Sequence, residues 1–233
     1  MKCTACGSLS FAETPDSGEL GKVYDESWQS SDDLSSLATG STDALIGNSL
    51  LDAFQWRPIP DAVCLDNGAG HGHFTKTLIE RGCQHVYAFE PYGTKPNWLD
   101  MDWIRDADKL PTQKFDWVFL IEVVEHMLDP VAELQRIRTL LAPGGQLVLT
   151  TPNASGIRAR LQKFEWREAQ NPTHINLFSP SSLEICLRRA GFTETSRNFQ
   201  PVRYLAKGLQ AQILYLLQRI GMDGGLRYIA RNS

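Results

Sequence analysis

From residue 62 onward the chain alternates short apolar runs with stretches in which apolar positions recur every third or fourth residue. The runs predict strands over 62–65, 86–89, 101–104, 117–121 and 146–150, with later ones over 192–197 and 226–230. The intervening periodicity predicts helices over 74–81, 130–141 and 180–190, the first two ending at Gly82 and at the Pro143-Gly144-Gly145 turn. Strands that alternate with helices make a parallel sheet with crossover connections. The unbroken run Trp117, Val118, Phe119, Leu120, Ile121 suits a central strand covered on both faces, where strict alternation is not needed. The pattern predicts an α/β fold: a doubly wound, mostly parallel seven-stranded sheet with helices on both faces.

Upstream, Leu45, Ile46, Leu50, Leu51 and Phe54 keep helical spacing until Pro58 and Pro60 stop the helix. Residues 8–43 are rich in Ser, Asp, Gly and Thr, so 1–43 is expected to be a flexible leader and 44–233 the domain, with a cap region at 154–175. Near the C-terminus Leu205, Leu209, Ile213, Leu216, Leu217 and Ile220 share one helical face. That helix, 205–220, reads as an insertion over or beside the sheet. Burial of its apolar face is the expected outcome, and contact with a membrane surface, aided by Lys207, Arg219 and Arg227, is the alternative.

Composition narrows the classes. With 233 residues, 42% of them hydrophobic, the chain can bury one sizeable core and a small lid. Lys and Arg number 23 against 27 Asp and Glu, a net charge of -4, which leaves no broad basic surface for a phosphate backbone and argues against a nucleic-acid partner. The first residues lack a signal-peptide core and no apolar run reaches a membrane span of about 20 residues, so a cytoplasmic location is expected. Five cysteines, Cys3, Cys6, Cys64, Cys83 and Cys186, lack the dense even spacing of a disulfide framework. Cys3 and Cys6 form half of a zinc knuckle, but a structural zinc needs four ligands and no second pair follows.

The segment VCLDNGAGHGHF runs from a predicted strand into a predicted helix, and its glycines let the backbone turn sharply and approach a ligand closely. A dinucleotide fingerprint beginning at Gly68 needs glycine at position 73, where this chain has His73; a tyrosine-lysine catalytic pair is also missing. A P-loop is excluded, because no lysine and hydroxyl pair follows the glycines.

Asp66-x-Gly68-x-Gly70-x-Gly72 resembles the first motif of class I S-adenosylmethionine-dependent methyltransferases, which have a Rossmann-like fold. Glu90 follows at the end of the second strand, 22 residues after Gly68. Asp106-Ala107 with Leu110-Pro111, then FDWVFLIEVVEHMLDP, LAPGGQLVLTTPN and HINLFSPSSLEICLRRAGF, are similar to the family's later motifs, so the resemblance covers about residues 45–200. It implies S-adenosylmethionine as cofactor, held by Asp66 at the methionine amino group, by Gly68, Gly70 and Gly72 along the loop, and by Glu90 at the ribose. Asp106 and Ala107 are implied to meet the adenine, with Asp102 as the alternative carboxylate, and Ile121 and Glu122 to offer carbonyls. Strand-end helix capping is the bland reading of Asp66 and Glu90.

For the acceptor the resemblance is to small-molecule enzymes of the ubiquinone and menaquinone type. It implies methyl transfer to a small molecule, at oxygen, with His126 and His174 as candidate bases and His71 and His73 shaping the loop. A sugar or lipid-linked polysaccharide acceptor, or a non-catalytic cofactor-binding protein, are the alternatives. Glu122, Glu125 and His126 form E-x-x-E-H, which on a helix would share a face suited to a divalent cation; the expected reading assigns no metal, with Glu122 lining the cofactor pocket and His126 packing the turn. Arg158, Arg160, Lys163 and Arg167, interleaved with Phe164 and Trp166, suit a carboxylate, phosphate or nucleotide-sugar group, or a solvated face. The turn after the fourth strand is not the Pro-Pro-aromatic type of exocyclic base methylation, which disfavours DNA.

Overall fold

The computed structural model describes residues 8–10, 18, 21–22, 40–202 and 208–233. Cys3 and Cys6, and with them the half-knuckle, lie outside the described residues, as do Leu205 and Lys207. Along the chain run β1 (Leu9–Ser10), α1 (Gly40–Ala53), β2 (Val63–Asn67), α2 (His73–Glu80), β3 (His85–Phe89), β4 (Trp103–Ile104) and β5 (Phe115–Ile121). There follow α3 (Pro130–Leu140), β6 (Leu141–Pro152), α4 (Ile157–Gln162), α5 (Arg167–Gln170), β7 (Asn176–Leu177), α6 (Pro180–Arg189), β8 (Glu194–Arg197), α7 (Gly208–Arg219) and β9 (Gly225–Arg231).

A seven-stranded sheet has the order β4-β3-β2-β5-β6-β9-β8. Pairings from β4 through β6 are parallel, while β9 runs antiparallel to both β6 and β8. Period-two alternation sorts its side chains onto two cores. Leu65, Val118, Leu120, Leu147, Leu149 and Tyr228 meet Leu134 and Ile137 of α3 and Leu183 and Leu187 of α6 on one face. Cys64, Phe119 and Val148 meet Leu50, Leu51 and Phe54 of α1 and Leu78 of α2 on the other. The apolar run of β5 is thus buried on both sides, the arrangement an unalternating strand requires.

Local chemistry fixes the helix starts. Asp129 caps α3 by accepting from Val131 and Ala132 N–H, with Pro130 in the first turn. Ser179 and Ser182 form a capping box on α6, again with a first-turn proline. Strand β6 begins five residues before the predicted run, at Leu141, which pairs with Phe115. The glycine turn is held to the C-terminal strand by a Gly144 N–H to Asn232 carbonyl bond. Leu9 and Ser10, from the expected leader, pair antiparallel with Leu177 and Asn176.

Helix α7 departs from the expectation of a buried apolar face. Leu209, Ile213, Leu216 and Ile220 are all at least half exposed, and the residue it buries is Gln218, whose amide exchanges hydrogen bonds with the Val202 backbone. The Gln218 amide thereby satisfies two backbone groups of Val202 that would otherwise be orphaned, while the leucine stripe on the adjacent face stays in water. Among the described residues no helix is long and apolar enough to cross a membrane.

Candidate functional site

Strand order reverses between β2 and β5. Their carboxyl-end loops leave in opposite directions and open a crevice, the usual ligand position in such sheets. A cavity of about 740 Å³ occupies it, lined by the β2 loop, the ends of β3 and β5, and the start of α3. That volume lies within the range of small-molecule sites, about 300–1,000 Å³.

Gly68, Gly70 and Gly72 have φ of 88°, 55° and 76°, a region that side chains with a Cβ rarely adopt. A Cβ on Gly68 would stand 2.6 Å from a Val123 methyl, whereas Gly70 faces open space at the cavity wall. Gly72 plays a different part from that expected: it stands outside the cavity lining, caps α2, and packs its α-carbon toward Leu99 and Pro96.

Glu90 is buried at the end of β3. One carboxylate oxygen accepts from Gly70 N–H at 2.9 Å and the other from Tyr92 and Gly93 N–H at 3.1 and 3.4 Å. A carboxylate offers about four lone-pair sites, so Glu90 ties down the glycine loop and keeps acceptor capacity toward the cavity. Asp66 is buried and accepts a 2.6 Å bond from the Thr75 hydroxyl. Burial raises its pKa to about 7 against that hydrogen bond, with the Glu90 charge adding to the rise. The buried Asn67 carbonyl oxygen, on the same lining, has no hydrogen-bond partner and can accept from a ligand N–H. A glycine cradle, an acidic strand end, an orphaned acceptor and the room for a nucleoside together fit the donor set that S-adenosylmethionine needs.

The opposite wall comes from the end of β5. Glu122 adopts a left-handed φ of 56°, its N–H held by the Thr150 carbonyl at 3.1 Å. Such strain persists where surrounding structure over-determines it, commonly at functional sites. Its side chain is open to the cavity yet surrounded by protein, and that desolvation lifts its pKa to about 7. Residues 124–126 form a single 3-10 turn. The helical face expected for Glu122, Glu125 and His126 is therefore absent, and the geometry groups Glu125, His126 and His174 instead, their donor atoms all within 4.8 Å of one another. Glu125 is fully buried; one oxygen accepts from Thr151, the other makes no hydrogen bond and lies 4.0 Å from His126 Nε2, and burial holds its pKa well above the carboxylate range. These three donors are the described residues that suit a divalent cation.

His126 lines the cavity; its Nδ1 lies 2.9 Å from the Thr173 carbonyl, an acceptor, so Nδ1 carries the proton and Nε2 the lone pair. Burial, then the neighbouring His174, lowers its pKa to about 4. His174 is buried outside the cavity lining, its ring edge-on to His126 at 4.7 Å and its Nδ1 3.2 Å from the Glu168 carbonyl. It buttresses His126. Asp106 is exposed, accepts from Asp108 N–H as the cap of a short turn, and stands outside the lining; Asp102 is likewise exposed, while Ala107, Ile121 and Glu122 all line the cavity. Asn67, Thr75, Tyr92 and Arg136 escaped the sequence reading. Tyr92, just past Glu90, was the most findable; Arg136 enters through a helix start whose direction periodicity does not give.

A family model described as "Methyltransferase domain" matches residues 43–196. A tRNA U34 carboxymethyltransferase of Idiomarina loihiensis is 30% identical over 147 residues, 57% of this chain and 46% of that protein. One of Pseudomonas aeruginosa strain LESB58 is 30% identical over 148 residues, 56% of this chain and 44% of that protein. The chain thus spans less than half the length of these relatives. Among solved structures, the 1,6-didemethyltoxoflavin-N1-methyltransferase of Burkholderia thailandensis superposes with a TM-score of 0.62 at 18% identity, covering 98% of this chain and 96% of that one, which establishes the fold.

These relatives correct two expectations. A small-molecule acceptor and the exclusion of nucleic acid do not stand beside matched proteins named for tRNA. The exclusion rested on a net charge of -4, but net charge averages over the whole surface. Locally, Arg158, Arg160 and Lys163 are exposed and form no ion pair among the described residues.

Proposed function

The chain belongs to the class I S-adenosylmethionine-dependent methyltransferases, and on that footing we propose that it transfers the methyl group of S-adenosylmethionine to a nucleotide of an RNA, a tRNA foremost. The observation that carries the acceptor class is the 30% identity, over 57% of this chain, to a relative named for tRNA. The donor is taken to be S-adenosylmethionine itself, the cofactor of the family to which the chain belongs. Asp66, Glu122, Asp129 and Glu133 line the cavity and suit its ammonium and sulfonium charges, while Arg136 is already bonded to Glu133 at 3.0 Å.

When bound, the cofactor supplies an activated methyl on a sulfonium, so the protein's work is alignment and handling of the acceptor's proton. Asn67 and the loop amides orient, Glu90 fixes the loop, and the apolar Phe74, Phe89 and Val123 exclude water. His126, neutral at pH 7 with Nε2 as its lone-pair nitrogen, accepts a hydrogen bond or proton from the acceptor's O–H or N–H, while His174 and Thr173 hold the ring.

The test is transfer of labelled methyl from S-adenosylmethionine into tRNA, followed by nuclease digestion and mass analysis of the nucleosides. The product should carry a methyl rather than a carboxymethyl group. His126→Ala should cut turnover about 100-fold or more, the usual contribution of a positioned base, with S-adenosylhomocysteine affinity unchanged. Full turnover in that variant would remove His126 from the chemistry; absence of label in any RNA would remove the acceptor class.

A further inference from the structure

The segment after β6 presents an unusual surface. In α4, Ala159 turns inward and packs with Trp166 and Leu177 in a small core of its own. The opposite face carries Ile157 and Leu161, the latter 77% exposed, flanked by Arg158 and Arg160. Lys163, at a left-handed φ of 51°, then turns the chain so that Phe164 projects 90% exposed. Aromatic and aliphatic side chains grouped in water with cations beside them are the kind of surface that marks an interaction site.

This surface is tied to the cavity. Glu168 of α5 bonds to His174, His174 packs on His126, and His126 lines the cavity wall. The segment that carries the patch thus packs, through His174, on the cavity wall where an acceptor atom would meet His126.

We propose that Arg158, Arg160, Lys163, Leu161 and Phe164 form a landing surface for single-stranded RNA, with Phe164 stacking on a base and the three cations meeting backbone phosphates. The inference rests on the RNA reading above and deepens it by naming where the substrate docks. Cations interleaved with an aromatic match what an unpaired strand offers: a phosphate at each nucleotide and a flat base face sequence-independent in its stacking. An anionic lipid surface would instead draw on the apolar face of α7, whose described residues carry one cation, Arg219.

The experiment measures binding of the full chain to a fluorescently labelled anticodon stem-loop RNA by anisotropy across a salt series. Calorimetry with S-adenosylhomocysteine and sedimentation with phosphatidylglycerol vesicles run in parallel. Phe164→Ala should weaken RNA binding about 5- to 100-fold, as expected for loss of one stacked base, with its salt dependence retained. Arg160→Ala with Lys163→Ala should weaken binding at least tenfold and flatten the log-log salt slope by about 1.4, or about 0.7 per lost phosphate contact. S-adenosylhomocysteine affinity should hold in both variants, which shows that each is folded. RNA bound equally by wild type and variants overturns the landing surface while leaving the RNA reading intact. No RNA bound by the wild type overturns that reading itself. Vesicle binding lost in the same variants, with RNA binding unchanged, reassigns the surface to lipid and overturns the proposal.

Discussion

At the level of single residues, the cavity sets buried carboxyls against neutral imidazoles, and each has a pH signature. Asp66 is raised from 3.8 to about 7, so the stability its protonated form contributes is full below about pH 3.8 and lost as pH rises through about 7. His126 has the opposite sign: lowered from 6.5 to about 4, it contributes stability above about pH 6.5 that disappears as pH falls through about 4. A ligand carrying an ammonium group favours ionised Asp66. Affinity for S-adenosylhomocysteine should therefore rise between about pH 6 and about pH 8, and Asp66→Asn should abolish that rise. Calorimetry at the two ends of the range decides it, and a flat wild-type profile would detach Asp66 from the ligand. That Asp66, Gly68, Gly70 and Glu90 stand together at one crevice was legible in the sequence because positions on a turn and at strand ends are set by local geometry. That Gly72 and Asp106 stand outside its lining was not legible, because the same spacing serves helix capping and packing, and which one wins depends on Leu99, Pro96 and the path of residues 91–103.

Among elements, most of the sheet could be read from the apolar runs, and β5 showed its central place by lacking alternation. Two features defeated periodicity. The residues after β5 form one 3-10 turn rather than a helix, because Glu122 takes a left-handed backbone that breaks helical continuity. Helix α7 is anchored by Gln218 rather than by its leucines, and a buried amide has no periodic signature. Between α7 and β9, Asp223 and Arg227 form a buried ion pair at 2.8 Å; Arg227 lies opposite Thr150 in the register that supports Glu122. Asp223→Ala would leave Arg227 buried without its partner, a loss of about 3–5 kcal/mol. Denaturant unfolding should register that drop, and a change under about 1 kcal/mol would mean that water or another carboxylate reaches Arg227.

On the scale of the whole molecule, two cores clamp a sheet whose strand order reverses between β2 and β5, and the cavity lies where that reversal must leave a gap. Overall charge averages over the surface, so a total of -4 does not show that Arg158, Arg160 and Lys163, without an ion pair among the described residues, stand beside an exposed phenylalanine. The account as a whole depends on the glycine-lined cavity holding a sulfonium nucleoside, with Glu90 at its heart. Calorimetric titration with S-adenosylhomocysteine tests that most directly. Single-site binding is predicted for the wild type, weakened in Glu90→Ala by about 1.5–3 kcal/mol, the loss typical of a hydrogen bond to a charged group. Absence of binding to the wild type, or equal affinity in the variant, would contradict it.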